Sequence, residues 1–381
     1  MYILIISRGL PNEKYNLNGI FEYDQAKALS SIGLKIVYVV LDMRSIRRWR
    51  RFGRTSINSG AFPIEVLSIP CGNIPKGIFN MVGSMGLDLL FNEVLKKYGK
   101  PDIIHSHFTN IGFIASKTLS KYNIPMVMTE HSSLINQKNI GKYNKKIASY
   151  TYSNADRVIA VSKSLKRRIL DNFGVEAIVV NNTVDTDLFA NKVFCNKEDF
   201  MFVSVGRLIK GKNMDKLINA FSQTFLNADN VKLTIYGEGP EHLNLQNLIN
   251  DYGLSNRIIL EGNRPREVIA DFFSYCDAFV LVSNAETFGV AYIEALAAGL
   301  PVIATKCGGP EEFVDESNGI LIEIDDMKEL QEALKSMYNN LNKYDKKYIS
   351  DTTNHKFSRE KIAIELRKVY SDVLNEGYSY D

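Results

Sequence analysis

Glu286-Thr287-Phe288-Gly289-Val290-Ala291-Tyr292-Ile293-Glu294-Ala295-Leu296-Ala297-Ala298-Gly299-Leu300-Pro301-Val302-Ile303-Ala304-Thr305-Lys306-Cys307-Gly308-Gly309-Pro310-Glu311-Glu312 is the stretch on which this 381-residue chain is read. A carboxylate, Glu286, precedes a short Phe288-Gly289 loop that opens an apolar helix holding a second carboxylate, Glu294. Gly299-Leu300-Pro301 stops that helix and feeds a strand over 301–304. The start of a helix leaves four N–H groups unpaired and carries about half a positive charge, so it suits an anionic or hydroxyl-rich ligand. Two carboxylates beside such amides are acceptors suited to sugar hydroxyls. The spacing predicts a site for a phosphorylated sugar. The bland alternative is a capped, buried helix with an incidental Glu294, and an apolar helix rarely buries an unpaired carboxylate.

Outward from this stretch, short apolar runs alternate with longer amphipathic ones. Strands are expected at 2–7, 35–41, 64–69, 102–105, 125–129, 157–161 and 177–180, then at 200–205, 232–236, 258–261, 278–282, 301–304 and 319–322. Helix-period segments such as 21–32, 81–98 and 111–122 separate them. The alternation predicts an α/β chain of two doubly wound, Rossmann-like domains with parallel sheets, facing each other across a cleft. The polar stretch 181–199 is the expected linker, giving domains of 1–185 and 186–356. A last amphipathic helix spans about 357–374.

The bulk numbers fit this. Hydrophobic residues make up 45% and charged residues 23%, the balance of a soluble globular protein. No run of 18 clean apolar residues occurs, and residues 1–7 lack the basic start and length of a signal peptide, so a cytoplasmic location is expected. Four scattered cysteines read as reduced thiols. The net charge of +3 conceals a division. Residues 1–190 hold 25 Lys and Arg against 14 Asp and Glu, an excess of 11 positive charges, which leaves 21 against 29 in the remainder. Such asymmetry points the first half at something anionic. No nucleic-acid module is recognisable, so a membrane surface or a diphosphate lipid is the expected partner rather than nucleic acid.

Within the second half, Gly206-Arg207-Leu208 and Lys210-Gly211-Lys212-Asn213 follow a strand and open a helix ending near Thr224. An Arg fork and a Lys point charge at a helix start form a clamp for a diphosphate. Asn213 ends this turn, and Asn tolerates a left-handed backbone. Tyr236-Gly237-Glu238-Gly239-Pro240 and Glu261-Gly262-Asn263-Arg264 are Gly-containing turns after strands. In the first half, Asn18-Gly19 precedes a helix, and no Gly-x-Gly-x-x-Gly fingerprint follows either first strand. Three histidines, His105, His107 and His131, cluster in sequence, but without a ligand partner or second shell they are not read as a metal site. His105 and His107 are expected to be structural.

The Glu-x7-Glu spacing, the Gly-Leu-Pro-Val strand and Gly308-Gly309 resemble the donor site of retaining glycosyltransferases of family 4, polysaccharide-type bacterial enzymes of the two-domain GT-B fold. The matching motifs run in order from Gly19 to Glu312. The resemblance implies that Glu286 contacts the transferred sugar, Glu294 holds the nucleotide ribose, and the amides of Phe288, Gly289 and Val290 contact the donor. It assigns Arg207 and Lys212 to the leaving diphosphate, and Gly237 and Arg264 to the turn and loop around the nucleotide. Gly19 would approach the donor, although the family has paired glycines there. His131, in Thr129-Glu130-His131-Ser132, would lie beside the reacting sugar. Asp185-Thr186-Asp187 imitates a metal motif but sits in what resembles the family's interdomain hinge, so no metal role is assigned. The terminal helix would pack back on the first domain.

The implied activity is retaining transfer of a sugar from a nucleotide sugar, UDP-linked with GDP-linked as the alternative, to an acceptor hydroxyl. It needs no cofactor or metal. The acceptor would be a lipid-linked glycan of capsule, exopolysaccharide or cell-surface polysaccharide synthesis, reached from the inner face of the membrane. The alternatives are an epimerase or phosphorylase on the same fold, or a non-catalytic nucleotide-sugar or membrane-binding subunit. One segment is expected to dock on an anionic membrane. Placed on a helix, residues 43–54 put Arg44, Arg47, Arg48, Arg50, Arg51 and Arg54 on one arc and Ile46, Trp49 and Phe52 opposite.

Overall fold

A computed structural model describes residues 1–12, 18–46, 51–137, 139–190 and 198–377. The chain divides into two compact units, Met1–Thr183 with Arg359–Asp381, and Val184–Ser358. The division falls two residues before the boundary expected from the sequence.

The strands of the first unit are β1 (Tyr2–Ser7), β2 (Lys35–Asp42), β3 (Gly53–Asn58), β4 (Pro63–Ser68), β5 (Ile103–His107), β6 (Met126–Glu130), β7 (Arg157–Ala160) and β8 (Ile178–Val179). They form one sheet in the order β3-β4-β2-β1-β5-β6-β7-β8, parallel throughout except that β3 runs antiparallel to β4. Its helices are α1 (Ile20–Ser31), α2 (Lys76–Tyr98), α3 (Thr109–Leu119), α4 (Lys142–Ser153) and α5 (Lys163–Phe173).

Because strand side chains alternate, a strand covered on both faces is apolar along most of its length. Tyr2, Leu4 and Ile6 of β1 join a core with Leu87, Leu90, Phe91 and Val94 of α2 and with α3. Ile3 and Ile5 join the opposite core, with Ala26 and Leu29 of α1. The second unit has α6 (Thr186–Phe189), β9 (Phe200–Val205), α7 (Met214–Thr224), β10 (Val231–Tyr236), α8 (His242–Asp251) and β11 (Ile258–Gly262). It continues with α9 (Arg266–Phe273), β12 (Ala278–Leu281), α10 (Val290–Ala297), β13 (Val302–Thr305), β14 (Gly319–Ile322), α11 (Met327–Asn339) and α12 (Lys346–Phe357). Its sheet is parallel, in the order β11-β10-β9-β12-β13-β14.

Helix α13 (Arg359–Gly377) belongs to the first unit, where it packs on α1. Ile362, Ala363, Leu366, Val369, Tyr370 and Val373 recur at helical spacing and bury one face in the same core as Ile3 and Ile5. Tyr370 also makes a polar tie. Its hydroxyl lies 2.6 Å from His105 Nδ1, and Thr129 Oγ1 lies 2.7 Å from His105 Nε2. A neutral imidazole satisfied at both nitrogens, with no exposure, is a structural histidine, as read from the sequence. Burial pushes its pKa down to about 3.

The interfacial helix expected over residues 43–54 is not formed by the described part of that segment, residues 43–46 and 51–54, none of which is helical. Arg44 is bound to Asp42, with Nη2 to Oδ2 at 2.6 Å, and Ser45 makes an isolated bridge to Cys71. Gly53–Asn58 is the edge strand β3, and Arg54 on it lies 3.4 Å from Glu93 of α2. Arg47, Arg48, Trp49 and Arg50 lie outside the described residues. The helical projection matched because closely spaced arginines fill an arc at almost any period. From Gly53 onward, pairing with β4 decides the backbone instead. The expected linker is also partly structured: Asn182 and Thr183 are buried and α6 follows, whereas residues 191–197 lie outside the described ones.

By length and composition α2 is a candidate membrane span, yet one face of it belongs to the core beside β1. That assigns its faces different energies. Phe91→Ala, removing a fully buried ring, should cost about 3–5 kcal/mol in urea unfolding. Met85→Ala, on the exposed face, should change it by less than about 0.5 kcal/mol. Equal losses would mean that the outer face is packed. His105 supplies a pH test. Its folded pKa lies near 3 and its unfolded value near 6.5, so between these values the unfolded chain binds the extra proton. Its share of stability is therefore complete above about pH 6.5 and falls by up to about 1.4 kcal/mol per unit as the pH drops. Thermal midpoints from pH 7 to 4.5 should decline less steeply in His105→Gln than in wild type.

Candidate active site

In each parallel sheet the strand order reverses once, between β1 and β5 in the first unit and between β9 and β12 in the second. The loops leaving two such strands diverge to opposite faces and open a crevice at the sheet's carboxyl edge. The sequence-predicted residues of the second unit lie at this edge, in loops after the strands, except Val290 and Glu294, which are in α10. Arg207 and Lys212 follow β9, Gly237 follows β10, Arg264 follows β11, and Glu286, Phe288, Gly289 and Val290 follow β12.

Lys212 and Glu286, separated by 74 positions, meet across the switch point: Lys212 Nζ is ion-paired with Glu286 Oε1. Ser283 Oγ donates to the same oxygen at 2.7 Å. The Glu286 backbone is fixed as well. Its N–H donates to Cys307 O at 3.2 Å, and its carbonyl accepts from Gly309 N–H at 3.1 Å. Asn213 locks the loop after β9 to the loop after β12, donating from Nδ2 to Val282 O at 2.8 Å and to Asn284 Oδ1 at 2.5 Å. Asn213 has φ 52°, the left-handed backbone expected of it, and α7 begins at the next residue. Cys307 is inert here, because burial pushes its thiol up to about 12.

Two glycines let these loops close up. A Cβ on Gly237, at φ 140°, would lie 1.9 Å from Gly206 O, and one on Gly309 would lie 2.1 Å from Phe288 O. Any side chain there would drive the loops apart. Gly289 caps α10 in a left-handed conformation, and Val290 is that helix's first residue. The Phe288 ring is core, packed against Phe313 and Phe357, so only its backbone is available to a ligand. Arg207 is exposed, and Arg264, half-exposed, pairs with Glu261 at 3.0 Å.

Glu294 on α10 is buried but not alone. Arg266, the first residue of α9, reaches its Oε1 with Nη2 at 2.5 Å, and the guanidinium lies 5.7 Å from the Phe189 ring centroid. A buried carboxylate needs such a partner. Sequence reasoning missed Arg266, and no local motif marked it.

In the first unit, Gly19 caps α1 at φ 76°, and a Cβ there would come within 2.2 Å of Gly9 O. His131, just after β6, is buried beside Phe21 and Phe108, with Nε2 3.0 Å from His107 Nδ1. His105, His107 and His131 form a stack with centroid spacings of 4.4 and 5.3 Å. Burial and the nearby Arg8 charge push His131 down to about 3, so it is neutral at physiological pH. Glu130, also unforeseen, sets its position. This buried carboxylate accepts from the His131 and Ser132 N–H groups at 2.9 and 2.8 Å, from Tyr152 Oη at 2.8 Å, and from Thr109 Oγ1. Among the described residues no group of three or more His, Cys, Asp or Glu is placed to hold a metal ion.

Two family models match the chain: "Glycosyltransferase Family 4" over residues 60–188 and "Glycosyl transferases group 1" over 185–354. An uncharacterized glycosyltransferase of Methanocaldococcus jannaschii is 32% identical over 284 residues, covering 71% of this chain and 76% of the relative. The N-acetylgalactosamine-N,N'-diacetylbacillosaminyl-diphospho-undecaprenol 4-alpha-N-acetylgalactosaminyltransferase of Campylobacter jejuni is 32% identical over 203 residues, 51% of this chain and 54% of the relative. Among solved structures, the Anabaena protein HepE in complex with UDP-glucose superposes with a TM-score of 0.74 at 20% identity, over 98% of this chain and all of that one. The fold is GT-B, and the chain belongs to the family 4 glycosyltransferases.

Proposed function

We propose that the chain moves a sugar from a nucleotide-sugar donor to an acceptor hydroxyl with retention of anomeric configuration. The observation that carries this reading is the Lys212–Glu286 pair at the switch point, one short loop before the start of α10. Breaking the glycosidic bond of the donor leaves negative charge on the diphosphate and positive charge on the sugar ring. Lys212, Arg207 and the first amides of α10 stabilise the diphosphate. Charge that is prearranged in this way is usually the largest catalytic term. Glu286 faces the transferred sugar and Glu294, oriented by Arg266, takes the ribose. The acceptor attacks from the leaving-group face and a departing phosphate oxygen takes its proton, so neither a metal nor a second catalytic carboxylate is required. Gly237 and Arg264 border the nucleotide.

We assign the first unit, with Gly19 and His131, to the acceptor side, and the second unit to the nucleotide sugar. A UDP-sugar donor is supported by the UDP-glucose bound in HepE. A lipid-linked glycan acceptor is supported by the diphospho-undecaprenol in the name of the Campylobacter relative, of which this chain spans about half. The enzyme then works in cell-surface polysaccharide synthesis, as a peripheral protein at the inner face of the cell membrane.

Lys212→Ala should lower turnover by about 10²–10³, the usual loss for one preorganised charge-stabilising group. Near-normal turnover in both Lys212→Ala and Arg207→Ala would overturn the diphosphate assignment. Proton NMR of the product, formed with chelator present, should show the anomeric configuration of the donor. Inversion, or activity abolished by the chelator, contradicts the mechanism.

A further inference from the structure

Helix α2 presents four large apolar side chains to solvent: Ile78, Met81, Met85 and Leu89 are 47, 57, 63 and 58% exposed. At about 100° per residue they fall within an arc of about 80°, opposite the buried Leu87, Leu90, Phe91 and Val94. Single exposed apolar residues are ordinary on protein surfaces; a continuous stripe along one helix face marks an interaction surface.

The surroundings of the stripe are cationic. Lys76 Nζ lies 4.3 Å from the ring centroid of Tyr143, and Asn80 Nδ2 donates to Tyr143 Oη at 2.7 Å, so the first turns of α2 and α4 lie side by side. Helix α4 exposes Lys142, Lys145 and Lys146 there. The chain has no acidic residue between Glu65 and Asp88, nor between Glu130 and Asp156. Asp88, on α2 beside Leu89, is the acid at the far end of the stripe, and Lys121 Nζ neutralises it at 2.7 Å. Topology sets its position. Helices α2 and α4 follow the parallel strands β4 and β6, so both begin at the carboxyl edge of the first sheet, the edge that carries Gly19 and His131.

We propose that this face, the α2 stripe with the lysines of α2 and α4, docks the first unit on an anionic lipid bilayer. The apolar side chains enter the boundary between headgroups and acyl chains while the lysines meet the lipid phosphates. A second copy of the chain fits less well, because pairing the same face with itself brings two lysine clusters together, and the acid of the stripe, Asp88, is already paired with Lys121. The surface is distinct from the 43–54 segment. Docking rests on the stripe and its charge; only its purpose, access to a lipid-linked acceptor, rests on the proposed function.

The test is flotation of the full-length protein with vesicles of phosphatidylcholine containing phosphatidylglycerol, and with phosphatidylcholine alone. Wild type should float with the anionic vesicles in a salt-sensitive manner and not with the neutral ones. At about fivefold per lysine, Lys142→Ser/Lys145→Ser/Lys146→Ser should weaken the partition about 100-fold. Met81→Ser/Met85→Ser/Leu89→Ser should also weaken it, with unchanged circular dichroism and unchanged thermal stabilisation by UDP. Wild type that fails to float, equal flotation with neutral vesicles, or both variants floating as wild type overturns the proposal. So does a dimer in sedimentation velocity that the stripe variant dissociates. Loss of UDP stabilisation in wild type would strike at the donor reading and leave the docking result standing.

Discussion

A parallel sheet sends every strand out at the same edge, and the arrangement of this chain follows from that constraint. Parallel neighbours need a crossover between them, and where that crossover is a helix, as after β1, β5, β9 and β12, the helix starts at the edge where the preceding strand ends. Loops, helix N-termini and their unpaired amides therefore collect at one edge of each sheet. Where the strand order reverses, neighbouring loops part and leave room for a ligand. Residues remote in sequence become neighbours for this reason. Lys212 and Glu286 meet because β9 and β12 are adjacent in the sheet, although two further strands lie between them in the chain.

The polar groups buried near these edges are satisfied by partners that hold the site still. Glu130 takes four donors, two of them from the backbone that carries His131. Glu294 is matched by Arg266, and Glu286 by Lys212 and Ser283. Removing one partner from such an arrangement costs more than the bond itself, because the group left behind stays desolvated. The glycines do the complementary work. At Gly237 and Gly309 the backbone of one loop rests against the carbonyl of another, at distances no Cβ permits.

Residues 53–58, which begin inside the stretch projected as a helix, show where sequence periodicity misleads. Strand β3 is an edge strand with almost every residue exposed, so it has none of the apolar alternation by which a half-buried strand is recognised. Its strand state comes from hydrogen bonding to β4, a partner that sequence periodicity does not show. The segments read as buried strands all contain a strand, because a strand covered on both faces is a near-continuous apolar run. The α2 stripe was hidden for the converse reason. In an apolar helix the pattern alone does not tell which apolar face is covered.

The local chemistry was legible in the sequence by itself: the alternation that makes two doubly wound units, the Gly and Asn positions that need unusual backbone, and the residues at the carboxyl ends of β9 and β12. These depend on side-chain type and short spacing, which the chain carries directly. The tertiary structure decided the pairings. That Lys212 answers Glu286, Arg266 answers Glu294, Glu130 anchors His131 and Tyr370 reaches His105 depends on strand order and helix packing. Long-range contacts of this kind are fixed by which elements share a sheet and which faces they bury, and no local spacing in the sequence records them.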